Sequence, residues 1–170
     1  MREDRDENGR LGNEVEQFKN FQFIPPKLMV DDDLALQLEE TCPYNPEKGY
    51  VPDYKFAMVH PNTRSPMGKI MLRVGLTRKL RDFGGHIGHE VDEPYRGHHY
   101  AARSCRLLLP LIRALDINPV IITCDPGNIA SAKTIESLGA ELRATKEVEI
   151  EPGDFRRTSI YYLYLEQGIQ

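Results

Sequence analysis

Tyr95-Arg96-Gly97-His98-His99-Tyr100-Ala101-Ala102 is the stretch on which the reading of this 170-residue chain turns. It joins a strand candidate, about Gly85 to Asp92, to a helix candidate over Ala101 to Leu115. The helix is marked by Ala101, Cys105, Leu108, Ile112 and Leu115, which recur at spacings of three and four. The first N–H groups of a helix lack partners inside it and point outward, so this junction suits an anion such as a phosphate. Gly97 permits close backbone approach, and Arg96 adds a forked, permanently charged donor. No GxxxxGK[ST] or GxGxxG occurs in the chain, which excludes P-loop and dinucleotide-binding readings. On spacing alone, a phosphate seat and a plain strand-to-helix turn both stay open.

Upstream, Tyr54 to Val59 and Lys69 to Val74 read as strands around a turn-rich segment that includes Pro61, Pro66 and Gly68. With the strand at Gly85 to Asp92 they form an antiparallel meander. Leu28-Met29-Val30 reads as a short edge strand after Pro25-Pro26. Asp31-Asp32-Asp33 before Leu34, Leu36 and Leu38 fits a helix N-terminus, with the helix ending by Thr41 ahead of Pro43. Pro110 is expected to kink the central helix, and Arg103, Arg106 and Arg113 to form its wet face. Downstream, Val120 to Cys124 is a continuous apolar strand. Asn128 caps a second helix that runs to about Leu138, with Gly139 just past its end. Glu141 to Ile150 and Ser159 to Glu166 close the chain as two strands around Pro152-Gly153-Asp154. The order is a meander, then strand–helix–strand–helix, then a hairpin. A crossover through a helix makes the two strands it joins parallel in an otherwise antiparallel sheet, which defines an α/β (α+β) domain.

The length suits one domain, with 1–17 as a charged arm and 18–170 as the folded body. The net charge of −4 argues against a general nucleic-acid binder. Residues 1–50 carry 6 basic and 12 acidic side chains, which favours a cationic acceptor. From Tyr54 to Arg81, in contrast, there are seven basic residues and no acidic one, which reads first as a solvated loop face, with a local preference for anions as the alternative. Three cysteines without CxxC spacing give no disulfide framework or zinc knuckle. Cys105 and Cys124 read as small core residues. No apolar run reaches membrane-spanning length and the first residues hold no signal-peptide h-region, so the expected compartment is the cytoplasm.

Three motifs in order resemble one family. Arg96-Gly97-His98-His99-Tyr100-Ala101 is similar to the acyl-CoA pyrophosphate loop, roughly Arg/Gln-x-x-Gly-x-Gly/Ala, of the GCN5-related N-acetyltransferases (GNAT). Gly88 to Tyr95 resembles the strand and turn leading into that loop. Asn128-Ile129-Ala130-Ser131 and Glu136-Ser137-Leu138-Gly139 resemble the family's Asn-x-x-Ser helix and its Glu-x-x-Gly ending. The branch that acetylates ribosomal-protein N-termini is the most similar. The resemblance implies a mostly antiparallel sheet of six or seven strands with helices on both faces. It places the one parallel pair splayed at the cofactor. It implies acetyl-CoA as co-substrate, held by Val91, Arg96, Gly97, His98, His99, Tyr100, Ala101, Asn128 and Ser131, with no metal. The Val91 region would supply the backbone N–H that polarises the thioester carbonyl. Two positions depart from the pattern. His99 replaces the central glycine of the loop, and Ile135 falls where many members carry a tyrosine that protonates the leaving thiolate.

Acetyl transfer to an amine needs a neutral amine, a polarised carbonyl and a proton for the thiolate. Glu90, at a strand end beside the loop, is the natural base. His89 can also move protons near neutral pH. His86 and His89 differ by an odd number on one strand and diverge, so they do not chelate a metal together. Tyr161, Tyr162 and Tyr164 on the last strand belong to the core, with one of them as a substitute acid. The absence of GxSxG or a Cys–His pairing points to direct transfer in a ternary complex. The expected acceptor is a peptide N-terminus or an amine-bearing small molecule, without nucleic acid or membrane. A homodimer could form through the last strand. The alternative reading is a non-catalytic acyl-CoA-binding module or sensor on the same fold.

Overall fold

The computed structural model describes residues 16–166, so residues 1–15 of the expected arm lie outside it. Strands β1 (Val30–Asp31), β2 (Leu34–Cys42), β3 (Asp53–Val59), β4 (Pro66–Arg73) and β5 (Ile87–Val91) make one sheet in that spatial order. Strands β6 (Val120–Cys124), β7 (Glu141–Glu151) and β8 (Asp154–Leu163) make a second, in the order β6-β8-β7. Helix α1 (Arg78–Asp82) joins β4 to β5, α2 (Tyr100–Ala114) joins β5 to β6, and α3 (Ile129–Ser137) joins β6 to β7. The fold is a single mixed α/β domain, as its element order implies, with eight strands among the described residues divided between two sheets.

The segment after the aspartate triplet is a strand, not the expected helix. Leu34, Leu36 and Leu38 recur every second position, and that period belongs to a pleated strand. Asp32 and Asp33 form the two-residue turn of a hairpin that pairs Asp31 with Leu34. Asp32 takes the left-handed conformation, with φ 52, which aspartate tolerates better than most residues. The expected edge strand at residues 28–30 survives only as Val30–Asp31. Pro110 lies inside α2, and the helix continues past it. The last strand, β8, has both edges taken by β6 and β7, so strand-to-strand dimerisation through it is not available.

Helix α2 turns Cys105, Leu108 and Ile112 inward, where they meet Tyr54, Phe56, Ile70 and Leu72 of the first sheet. Val120 and Ile122 of β6 and Ile135 of α3 extend the same core. Ile135 is 1% exposed, so the position that departs from the family tyrosine is packing and supplies no proton.

The two sheets meet around His86 and Ile121, with Gly84 N–H also donating to Thr123 Oγ1 at 3.0 Å. His86 N–H donates to Ile121 O at 2.7 Å, and Ile121 N–H donates to His86 Nδ1 at 2.9 Å. The expected parallel pair, β5 and β6, forms no hydrogen-bonded ladder beyond this contact. Gly85 permits the approach. Its φ is 62, and a Cβ there would lie 2.4 Å from Ile121 O.

Because His86 accepts through Nδ1 and is 8% exposed, it must be neutral. Burial first, then the charges of Arg73 and Arg81, push its pKa down from 6.5 to about 4. A depressed histidine pKa means that the unfolded chain binds the proton more readily. Stability is therefore full above pH 6.5 and is lost as pH falls from there to about 4. The shift corresponds to about 3 kcal/mol. Urea unfolding followed from pH 7 to pH 4 should show this loss, and His86→Gln should flatten that part of the profile relative to the parent chain. Gln can accept the Ile121 bond without titrating.

Candidate active site at the strand split

Helix α2 begins with an unfilled cap. His99 occupies the N-cap, but its side chain makes no capping hydrogen bond. The first α-helical backbone bond is Arg103 N–H to His99 O, at 3.0 Å. The N–H groups of Tyr100, Ala101 and Ala102 are thus left for an outside acceptor, at the positive end of a 15-residue helix. These residues line a cavity of about 640 Å³ together with Arg96, Gly97 and His99. Glu90 and Val91 reach the same cavity from β5, and Asn128 and Ser131 from α3. Of the residues expected around a cofactor, only His98 is not on this wall; it is exposed and its ring lies 5.9 Å from that of Tyr100.

Local chemistry holds the loop in shape. Arg96 Nε donates to Val91 O at 2.9 Å, which ties the loop back to the end of β5 and leaves the outer guanidinium nitrogens facing outward. Asp92 N–H donates to Met67 O, so ladder alternation turns the Val91 N–H to the open edge. Gly97 has φ 85, a conformation that favours glycine. His99 has φ 61. It adopts the left-handed angle that glycine would supply at the loop centre, so the departure from the family pattern strains the backbone rather than reshaping it.

The first turn of α2 is also clamped from outside. Arg103 Nε donates to Asp31 Oδ2 at 2.7 Å, and its Nη2 donates to Asp33 Oδ1 at 2.8 Å. Tyr100 donates its hydroxyl proton to Asp33 Oδ2 in a short hydrogen bond. The Tyr100 and Arg103 donors hold the Asp33 carboxyl below the usual carboxylate range. Arg103 therefore does not belong to a wet face, as its helical position suggested. It fastens the β1–β2 hairpin to the helix start.

Asn128 Oδ1 accepts the Ser131 N–H at 3.0 Å and caps α3, which starts at the same opening. Ala130, Lys133, Thr134 and Ser137 add one face of α3 to the cavity. Sequence reasoning missed these residues, although their spacing of three and four from Ala130 marks one helical stripe.

A second cavity of about 380 Å³ shares His89, Asn128 and Ser131 with the first. Cys124, expected in the core, is half-buried on its wall. His89 lines both spaces, and burial holds its pKa below the ordinary 6.5. Neither cavity is lined by Tyr161, Tyr162 or Tyr164. Tyr161 packs in the core, while Arg143 lies over the rings of Tyr162 and Tyr164. Among the described residues no three His, Cys, Asp or Glu side chains are grouped to hold a metal. No described helix is long and apolar enough to cross a membrane.

The family model described as acetyltransferase (GNAT) domain matches residues 12–141, and the chain belongs to that family of N-acetyltransferases. No protein of curated function matches it in sequence. A solved structure described as a candidate ribosomal-protein-serine acetyltransferase from Vibrio cholerae is 15% identical, with a TM-score of 0.60. That alignment covers 84% of this chain and 100% of the other. The ribosomal-protein-S5-alanine acetyltransferase from Vibrio fischeri is 18% identical with a TM-score of 0.54, over 66% of this chain and 61% of its own. RimL, a ribosomal L7/L12 α-N-protein acetyltransferase solved with coenzyme A, is 20% identical with a TM-score of 0.54, over 70% and 64%. The chain thus spans less than two thirds of the last two. At these identities the likeness is one of fold.

Replacing His99 by Gly relieves the left-handed strain of about 1–2 kcal/mol and costs somewhat less in chain entropy. His99→Gly should raise the thermal midpoint by about 1–3 °C. An unchanged or lowered midpoint in differential scanning calorimetry would show that His99 is held by contacts of its own.

Proposed function

We propose that the chain moves an acetyl group from acetyl-CoA directly to an amine, with a peptide N-terminus as the acceptor, in a ternary complex. The observation that carries this reading is the uncapped α2 N-terminus opening into the 640 Å³ cavity beside Arg96. Family membership supports it, and so does the similarity to proteins described as ribosomal-protein acetyltransferases. The residues present fit the cofactor. The Tyr100, Ala101 and Ala102 amides and Arg96 would take the pyrophosphate, His99 its outer side, and Lys133 a further phosphate. Asn128 and Ser131 would flank the arm that leads into the split. Acetyl-CoA supplies the thioester: the amine nitrogen bonds its carbonyl carbon, and CoA leaves as the sulfur bond breaks.

The chain's own residues then have three tasks. Val91 presents its N–H to the carbonyl oxygen, where negative charge develops. Glu90, at the mouth of the larger cavity, takes the amine proton directly or through water. His89 is the second candidate for that proton, because it alone of the two touches both cavities. With Ile135 in the core, an imidazolium at His89 is also placed to return the proton to the departing thiolate. Three free cysteines fit a reducing cytoplasm.

Isothermal titration tests the binding half. Acetyl-CoA should bind at micromolar affinity, and Arg96→Ala should weaken it about tenfold. Absence of binding would overturn the reading. Binding without turnover on any amine would favour an acyl-CoA sensor instead. Glu90→Gln and His89→Gln separate the two bases: the one that carries the proton should lose about 10²–10⁴ in kcat with CoA affinity kept. If that residue is His89, the parent chain should show an acidic limb in kcat, lying below the ordinary histidine range, that His89→Gln removes, since the neutral imidazole is the working form.

A further inference from the structure

The smaller cavity carries a charge that the acetyl-CoA site does not explain. Arg73 of β4 and Arg156 and Arg157 of β8 line it, the two β8 arginines from opposite faces of the strand, and Asp125 is the one carboxylate on its wall. Asp125 is engaged, accepting the Gly127 N–H at 2.6 Å. Arg73 is fixed as part of the frame, since its Nη1 donates to Gly85 O at 2.9 Å and to Gly84 O at 3.3 Å. Its Nε and Nη2 make no hydrogen bond among the described residues. Arg156 is paired at the surface with Asp154, at 3.1 Å, while Arg157 has no ion-pair partner among the described residues. Thr158, also on this wall, is 2% exposed, and its Oγ1 has no hydrogen-bond partner in the protein. The acid-free run from Tyr54 to Arg81 contributes Arg73 to this wall, and nothing in acetyl transfer itself calls for it.

We propose that this cavity receives the acceptor and selects an acidic peptide N-terminus. The inference rests on the transferase reading and names the acceptor of that same site. The amine lies at His89, on the wall shared with the acetyl-CoA cavity. A carboxylate on the next one or two residues is met by the Arg156 guanidinium, with Arg73 behind it, while Arg157, the next residue along the strand, adds positive charge from its other face. This reverses the preference drawn from the acidity of the first 50 residues. Among the described residues, the acidic side chains of the β1–β2 hairpin do not line the cavity.

Two peptides labelled at their C-termini, Ser-Glu-Glu-Gly-Gly and Ser-Lys-Lys-Gly-Gly, test it by fluorescence anisotropy on the full chain, with and without CoA. The acidic peptide should bind at least tenfold more tightly. In the double variant Arg156→Glu/Arg157→Glu that preference should vanish or invert. Both residues are exposed, so the variant should fold, and its thermal midpoint and acetyl-CoA affinity should match the parent. Equal binding of the two peptides, a preference for the basic one, or a preference that survives the reversal would overturn the proposal whether or not acetyl-CoA binds. A peptide preference lost on reversal, in protein that does not bind acetyl-CoA, would sustain the anionic subsite while overturning the transferase reading.

Discussion

Two hydrogen bonds between His86 and Ile121 are the constraint on which the rest of the molecule depends. With the Gly84 N–H to Thr123 Oγ1 bond beside them, they join the five-stranded sheet to the three-stranded one just before β5 begins. Had β5 and β6 paired along their length, the backbone groups at their facing edges would be satisfied and the space between them closed. Because they touch only at the start, those edges stay open, and a buried open edge calls for a ligand or water. Gly85 sets how close the sheets come, and the neutral His86 side chain uses its own nitrogen to complete the junction.

The residues proposed to carry the chemistry sit where that junction gives way. Helix α2 starts there with three amides unused. Asn128 starts α3 from the other strand. The opening has two mouths of unlike character, one built from helix N-termini and small residues, the other from arginines and a buried threonine. His89 is on the wall common to both. A group that must take a proton from a molecule on one side and pass it to a molecule on the other belongs at such a place. The Asp31–Arg103 and Asp33–Tyr100 contacts serve this geometry at a distance, since they fix the direction of the α2 first turn against the first sheet.

Much of this was legible in the residues. The 3.6-residue stripe of α2, the apolar run of β6 and the Asn128 cap each state their element without tertiary help. The loop from Tyr95 to Ala102 marked the open start of α2 by its position and its glycine, and left an anion seat and a plain turn both open. The β1–β2 hairpin was misread because acidic residues before leucines serve a helix start and a tight turn equally well. The two-residue period of Leu34, Leu36 and Leu38 decides between them. The role of Arg103 could not be read, because its partners lie about 70 positions upstream. The division of the sheet was hidden for a similar reason. Strand patterns show which segments pair, but the place where pairing stops is set by Gly85 and His86 meeting Ile121 across the fold. The arginines of the second cavity come from segments more than 80 positions apart, and only the fold brings them to one wall.

The central claim is that the open N-terminus of α2 is the seat of the CoA pyrophosphate. The most direct measurement is a two-dimensional amide spectrum of the nitrogen-15-labelled chain, recorded as CoA is added. The account predicts that the Tyr100, Ala101 and Ala102 amides shift most strongly, as N–H groups do on gaining a charged acceptor, with Gly97 and Ser131 beside them. Saturable shifts confined to other parts of the chain, or none at all at millimolar CoA, would contradict it.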